Sequence, residues 1–212
     1  MANPYYEKYC AELRRSEQES GRRWSAEEVE RYALSRFEVL TGNRKPGERY
    51  GKLIHALALY FAGEDGRLKP NKGIILSGCT GCGKTTLFKL FYFANTRATE
   101  ENVRLFSWAS CRQIAIDYVD PVNGGLQSLK KYFNGSALFD DFGAENLASH
   151  YGNRADVMGE IIQSRYERKA LTFLTTNLSY EQIRDAYGER VSSRLAEMCS
   201  WLDTDINEDY RR

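Results

Sequence analysis

From Gly78 to Thr86 the chain reads Gly-Cys-Thr-Gly-Cys-Gly-Lys-Thr-Thr, which satisfies the phosphate-loop pattern Gly-x-x-x-x-Gly-Lys-Thr, or Walker A. The chemistry explains the residue types. Gly78, Gly81 and Gly83 let backbone N–H groups turn inward around a polyphosphate, where a β-carbon would obstruct them. Cys79, Thr80 and Cys82 fill the variable positions, and Thr86 completes the cradle. Lys84 has the reach for β- and γ-phosphates, and the Thr85 hydroxyl suits a magnesium ion. A helix beginning near Lys84 would aim its positive end at the same anion. ATP and Mg2+ are therefore the expected cofactors.

Three further sets of residues could act on such a ligand. Asp140 and Asp141 follow the apolar run Ala137-Leu138-Phe139. A carboxylate at a strand end can hold magnesium, the role assigned to Asp140, and its neighbour Asp141 can orient and activate the attacking water. Asn177 follows the run Leu171–Thr175, where a neutral amide could bond the γ-phosphate or position the water; the plainer alternative is a cap for the next helix. Arg190 and Arg194 stand four apart on one helix face, suited either to a surface salt bridge or to a neighbouring subunit's nucleotide.

These groups need a scaffold that brings distant stretches together. Gly73–Ser77 is a short apolar run, read as a buried parallel strand, and Leu87–Phe93 continues as a helix without a breaker. Further strands are expected at Val103–Trp108, Ala137–Phe139 and Leu171–Thr175. Helices are expected from Ser110 to Tyr118, Leu126 to Tyr132 and Asp156 to Arg168, and after the capping box Ser179–Gln182. Strands alternating with helices imply an α/β fold, a three-layer P-loop NTPase with a parallel sheet and its ligand at the carboxyl ends of the strands. Ahead of it, residues 1–45 read as a helical segment. Pro4 to about Glu19 is helix-prone; Ser25 and Glu28 form a capping box before Val29, Ala33, Phe37 and Leu40, and Gly42 is a stop. This segment is either two packed helices or a partner-binding arm with exposed aromatics. The ATPase domain is expected over 46–212, with a helical stripe Leu53, Ile54, Leu57, Tyr60 and Phe61 ending at Gly63.

Composition narrows the classes. The 212 residues are 42% hydrophobic, which suits one α/β domain with a short appendage. The net charge of +1 supplies no global attraction to nucleic acid, so DNA binding would need a local patch. Five cysteines, no signal peptide and no long apolar run indicate a reduced, cytoplasmic protein with no membrane partner. Cys79 and Cys82 form a Cys-x-x-Cys, but no second pair follows at zinc spacing.

Taken together, GCTGCGKT, ALFDDFG, LTTNL, YGERVSSRL and the terminal DYR resemble the AAA+ ATPases of the DnaC/IstB type, replicative-helicase loaders and transposition helper ATPases. The resemblance covers about residues 50–212. It implies that Asn177 is the sensor-1 residue, Arg194 the arginine finger acting on the adjacent subunit (with Arg190 the second candidate) and Arg211 a sensor-2-like arginine. It also implies the absence of a C-terminal helical lid, slow partner-stimulated Mg-dependent ATP hydrolysis and homo-oligomers on ATP or DNA. The implied partners are a replicative helicase with single-stranded DNA or, alternatively, a transposase with duplex DNA. The clade's extra DNA-facing helix would fall between Ser107 and Tyr132. A small-molecule kinase would use the same loop, but would need an acceptor pocket and an arginine-rich lid, for which the sequence has no match.

Overall fold

The computed structural model describes residues 24–95, 106–145, 148–150 and 153–204. They fall into two compact units, Met1–Leu68 with Thr86–Leu105, and Lys69–Thr85 with Phe106–Arg212.

In the first unit, helix α1 spans Ala26–Thr41 and helix α2 spans Glu48–Ala62. The expected capping box starts α1: Glu28 N–H donates to Ser25 Oγ at 3.3 Å, and Ser25 N–H to Glu28 Oε2 at 2.8 Å. The carboxylate of Glu64 takes the Ala26 N–H at 2.7 Å, satisfying another amide of the first turn. Both helices end at a left-handed glycine, Gly42 and Gly63. Val29, Ala33 and Phe37 recur at helical spacing and are buried, with the Phe37 ring 5.1 Å from Tyr50 of α2. The aromatic residues of α1 are thus packed inside its own unit. The segment Pro4–Glu19 lies outside the described residues. Helix α3, Lys84–Asn95, starts at the phosphate loop and contributes Phe91, which stacks on Phe61 at 4.9 Å.

The second unit holds the sheet. Its strands are β1 Gly73–Ser77, β2 Ser107–Ser110, β3 Ala137–Phe142, β6 Thr172–Thr176 and β7 Cys199–Asp203. They pair in the order β2-β3-β6-β1-β7, every pair parallel. Between them run helices α4 Cys111–Val119, α5 Leu126–Leu129, α6 Val157–Glu167, α7 Tyr180–Tyr187 and α8 Glu189–Met198, with a small antiparallel pair, β4 Ala148–His150 and β5 Asn153–Ala155. The expected P-loop α/β class with a parallel sheet is the one observed. One core joins Ile75, Phe139 and Leu174 of the sheet to Ile114, Met158, Ile161, Ile162 and Leu195 of the helices. Arg165 of α6 is fully buried in this unit. Its guanidinium donates to the carbonyls of Tyr132, Asn134, Gly135 and Leu171 and to the Thr172 hydroxyl, which ties the turn before β3 to the start of β6. Burial lowers its pKa to about 10, so it remains charged at neutral pH.

Four local expectations change. The second strand runs on to Ser110 rather than ending at Trp108, because parallel pairing sets Ser110 level with Asp140; Val103–Leu105 of the expected strand lie outside the described residues. Ser110 occupies the N-cap of α4, but its side chain makes no capping bond. The third strand continues through Asp140 and Asp141 to Phe142, with a register shift between Phe139 and Phe142. Strand β7, which the sequence did not reveal, forms the sheet edge beside β1.

Candidate nucleotide site

The phosphate loop leaves the carboxyl end of β1 and enters α3 at Lys84. Gly78, Gly81 and Gly83 all have positive φ, at 146°, 91° and 85°, which side-chain-bearing residues rarely adopt. Gly78 has a second reason to be glycine: a Cβ there would lie 2.5 Å from Thr204 Oγ1. Strand β7 pins the loop's root. The N–H and hydroxyl of Thr204 both donate to the Ser77 carbonyl at 2.7 Å, and Trp201 Nε1 donates to Ser77 Oγ at 2.5 Å. Cys82 is buried with its sulfur 3.1 Å from Thr204 Oγ1, while Cys79 and Thr80 are exposed at the rim. Thr86 lies in the first turn of α3.

Lys84 is 6% exposed. Its ammonium donates to the carbonyls of Gly78 at 2.8 Å and Cys79 at 2.7 Å, to Asn177 Oδ1 at 2.7 Å, and to Cys82 Sγ at 3.6 Å. The cation is thus held over the mouth of the loop. Asn177 takes part from the end of β6. The competing cap reading does not hold for it, since Ser179 caps α7 through a capping box with Gln182.

The two acids are brought to this place by an irregularity in β3. Phe139 and Phe142 belong to the same core although they stand three residues apart. Strict alternation would send them to opposite faces. An extra residue in the strand restores the face and leaves Asp140 and Asp141 outside that apolar cluster. Phe142 is anchored by stacking on Tyr187 at 4.6 Å. Asp141 is exposed with φ 58°, a left-handed backbone; Asp140 is 8% exposed. Asp140 Oδ1 accepts from Thr85 Oγ1 at 2.9 Å and from Thr175 Oγ1 at 2.6 Å, and Thr175 Oγ1 also accepts the Asp141 N–H at 2.9 Å.

A hard cation fits this donor set. Thr85 and Asp140 supply adjacent oxygens, and Mg2+ is commonly held by one or two carboxylates together with phosphates and water. Among the described residues no group of three or more His, Cys, Asp or Glu side chains could hold a metal by itself.

Other groups lie around the acids. Tyr187 donates to Glu145 Oε1, and the Gly143 N–H donates to Glu145 Oε2 at 2.8 Å. Burial raises the Glu145 carboxyl above its usual range against these bonds. Burial, reinforced by Glu145, Asp140 and Asp141, raises the Cys111 thiol well above its ordinary value, which favours the neutral thiol over the thiolate.

The arginines are placed differently from each other. Arg190 is exposed in the first turn of α8. One turn on, Arg194 lays its guanidinium 5.0 Å over the Tyr166 ring, and its Nη1 is buried without a hydrogen-bond partner among the described residues. The nearby Glu197 carboxylate instead accepts from the Tyr166 hydroxyl at 2.7 Å. Arg211 lies outside the described residues. Thr175, Thr204 and Glu145 were not singled out in the sequence. The first and last carry no pattern of their own, and Thr204 depends on an unforeseen strand.

Among solved structures, the fold is similar to that of a DnaC helicase loader (20% identity, TM-score 0.57, covering 76% of this chain and 93% of that one). DnaI gives 21% identity and a TM-score of 0.57, with 87% and 93% covered. AMPPCP-bound DnaA from Aquifex aeolicus gives 16% and 0.54, with 81% of this chain and 51% of that one. The chain therefore shares the α/β P-loop fold of these structures. No protein-family model matches the sequence, and neither does any curated protein. No helix among the described residues is long and apolar enough to cross a membrane.

Proposed function

We propose that this chain is a Mg2+-dependent ATPase that assists DNA replication by loading a ring helicase onto single-stranded DNA. The observation that carries the ATPase part is the convergence of Lys84 and Thr85, Asp140, and Asn177 from three separate stretches onto one strand-end site. In this reading the loop amides and Lys84 bind the β- and γ-phosphates, and Thr85 with Asp140 would hold Mg2+. The ion, when bound, would neutralise charge developing on the phosphates. Asp141 takes the proton of the attacking water, and Asn177 orients that water or the γ-phosphate. Arg211 would contact the chain's own nucleotide.

Arg194 is the candidate that completes a neighbour's site. A guanidinium held on an aromatic face, with Nη1 making no hydrogen bond, has a donor to spare for a phosphate oxygen. ATP-bound copies would then assemble head to tail. The helicase-loading part draws support from the likeness to DnaC and DnaI. DNA contact is assigned to the Ser107–Tyr132 segment, where Ile116, Val122 and Leu126 are 51%, 85% and 61% exposed and could pack on bases. Residues 1–45 would receive the helicase, and 46–212 would form the ATPase domain.

The test mixes the purified protein with the replicative helicase of the same genome, a non-hydrolysable ATP analogue and single-stranded DNA. A co-eluting complex that needs the analogue supports the reading. A protein that binds the analogue yet captures only a transposase on duplex DNA would point to a transposition helper instead.

A further inference from the structure

We infer that Thr175 is a positioning residue that couples the two acids of the site, fixing Asp140 for the metal and Asp141 for the water through one buried hydroxyl. The inference rests on the Mg–ATP reading of the site. The extra residue in β3 releases Asp140 and Asp141 from regular pairing with β6: Phe139 pairs with Leu174 and Phe142 with Thr176, and the acids lie between. A strand amide that loses its ladder partner is free to take another acceptor. Thr175 supplies it, accepting the Asp141 N–H at 2.9 Å. The same hydroxyl has one proton to give, and gives it to Asp140 Oδ1 at 2.6 Å. Both bonds pass through one oxygen on a fully buried residue, so the acids cannot shift independently. The Asp141 backbone stays at φ 58°, a conformation that must be imposed by its surroundings.

The side-chain type fits the task. A β-branched residue in a strand has few χ1 choices, so its hydroxyl direction is set by the backbone. Valine would keep the shape and remove both bonds; serine would keep the bonds and loosen the direction. Thr175 itself does not act on the ligand. Its effect is on the ion's affinity through Asp140 and on the water through Asp141, as outer-shell partners act on metal ligands.

The test compares the parent, Thr175→Val, Thr175→Ser and Thr85→Ala. Mn2+ binding is followed by electron paramagnetic resonance in the presence of a non-hydrolysable ATP analogue, and analogue binding is measured without metal. Circular dichroism verifies folding; should Thr175→Val not fold, Thr175→Cys takes its place, keeping the volume with a weak donor. The expected result is metal-free analogue affinity within about 2-fold of the parent throughout. Mn2+ affinity should fall by roughly 10-fold or more in Thr175→Val and recover to within about 3-fold in Thr175→Ser, with hydrolysis following. Parental Mn2+ affinity in Thr175→Val, with Thr85→Ala impaired, overturns the inference and leaves the metal reading standing. Parental affinity in both variants removes the metal reading itself.

Discussion

Lys84 and Asn177 are 93 residues apart in the chain, yet the lysine ammonium meets the asparagine carbonyl oxygen at 2.7 Å. The contact joins the loop after β1 to the end of its sheet neighbour β6. It places a cation and a neutral amide where a terminal phosphate would be read. The two should therefore fail differently. Each charge-assisted bond to phosphate contributes about 1.5–3 kcal/mol, so Lys84→Ala should weaken ATP binding by roughly 100-fold or more. Asn177→Ala should bind ATP within a few-fold of the parent and lose roughly 100-fold in turnover. Titration calorimetry and a phosphate-release assay check the pair.

Asp141 stands in the bulge with an exposed carboxylate. Asp141→Asn should keep ATP affinity and lose hydrolysis by about 100-fold or more. Turnover at the parental rate would remove its assignment as the base.

Gly78 tests the packing at the loop's root. Gly78→Ala drives a methyl to 2.5 Å from Thr204 Oγ1 at φ 146°, so it should lower stability by about 1–3 kcal/mol. Chemical denaturation without nucleotide measures this.

Glu145 gives a pH signature. Burial raises its folded pKa above the ordinary 4.5. As pH rises past that value the unfolded chain releases the proton first, so stability declines until the folded carboxyl also ionises, and the loss persists above. Glu145→Gln, which can still accept from Tyr187, should flatten this slope between pH 4.5 and neutrality. Denaturation midpoints of both proteins across pH 4–8 reveal it; parallel curves would contradict it.

The sequence made the scaffold of the site readable where local chemistry was strong. The boundaries of β1 agree residue for residue, and the Ser25 and Ser179 capping boxes form as expected. So do the stops at Gly42 and Gly63. These depend on a few neighbouring residues. Strand β7 escaped notice because Cys199-Ser200-Trp201-Leu202-Asp203 shows neither a long apolar run nor clean alternation; pairing with β1 defines it. The bulge was hidden for a related reason. Phe-Asp-Asp-Phe shows two acids after a strand, but only the common core of Phe139 and Phe142 reveals the inserted residue. Thr175 and Thr204 acquire their roles from partners 35 and 127 positions away, a separation no local pattern encodes.

The most direct measurement mixes two inactive proteins. Arg194→Ala should bind ATP yet hydrolyse it about 1,000-fold more slowly, and Lys84→Ala should bind it roughly 100-fold or more too weakly to turn it over. The first keeps an intact nucleotide site, and the second keeps the arginine resting on Tyr166. Mixed in equal amounts under assembly conditions, they should recover a measurable part of the parental ATPase rate. A mixture no more active than its components, or an Arg194→Ala protein as fast as the parent, would contradict a site completed by a second copy.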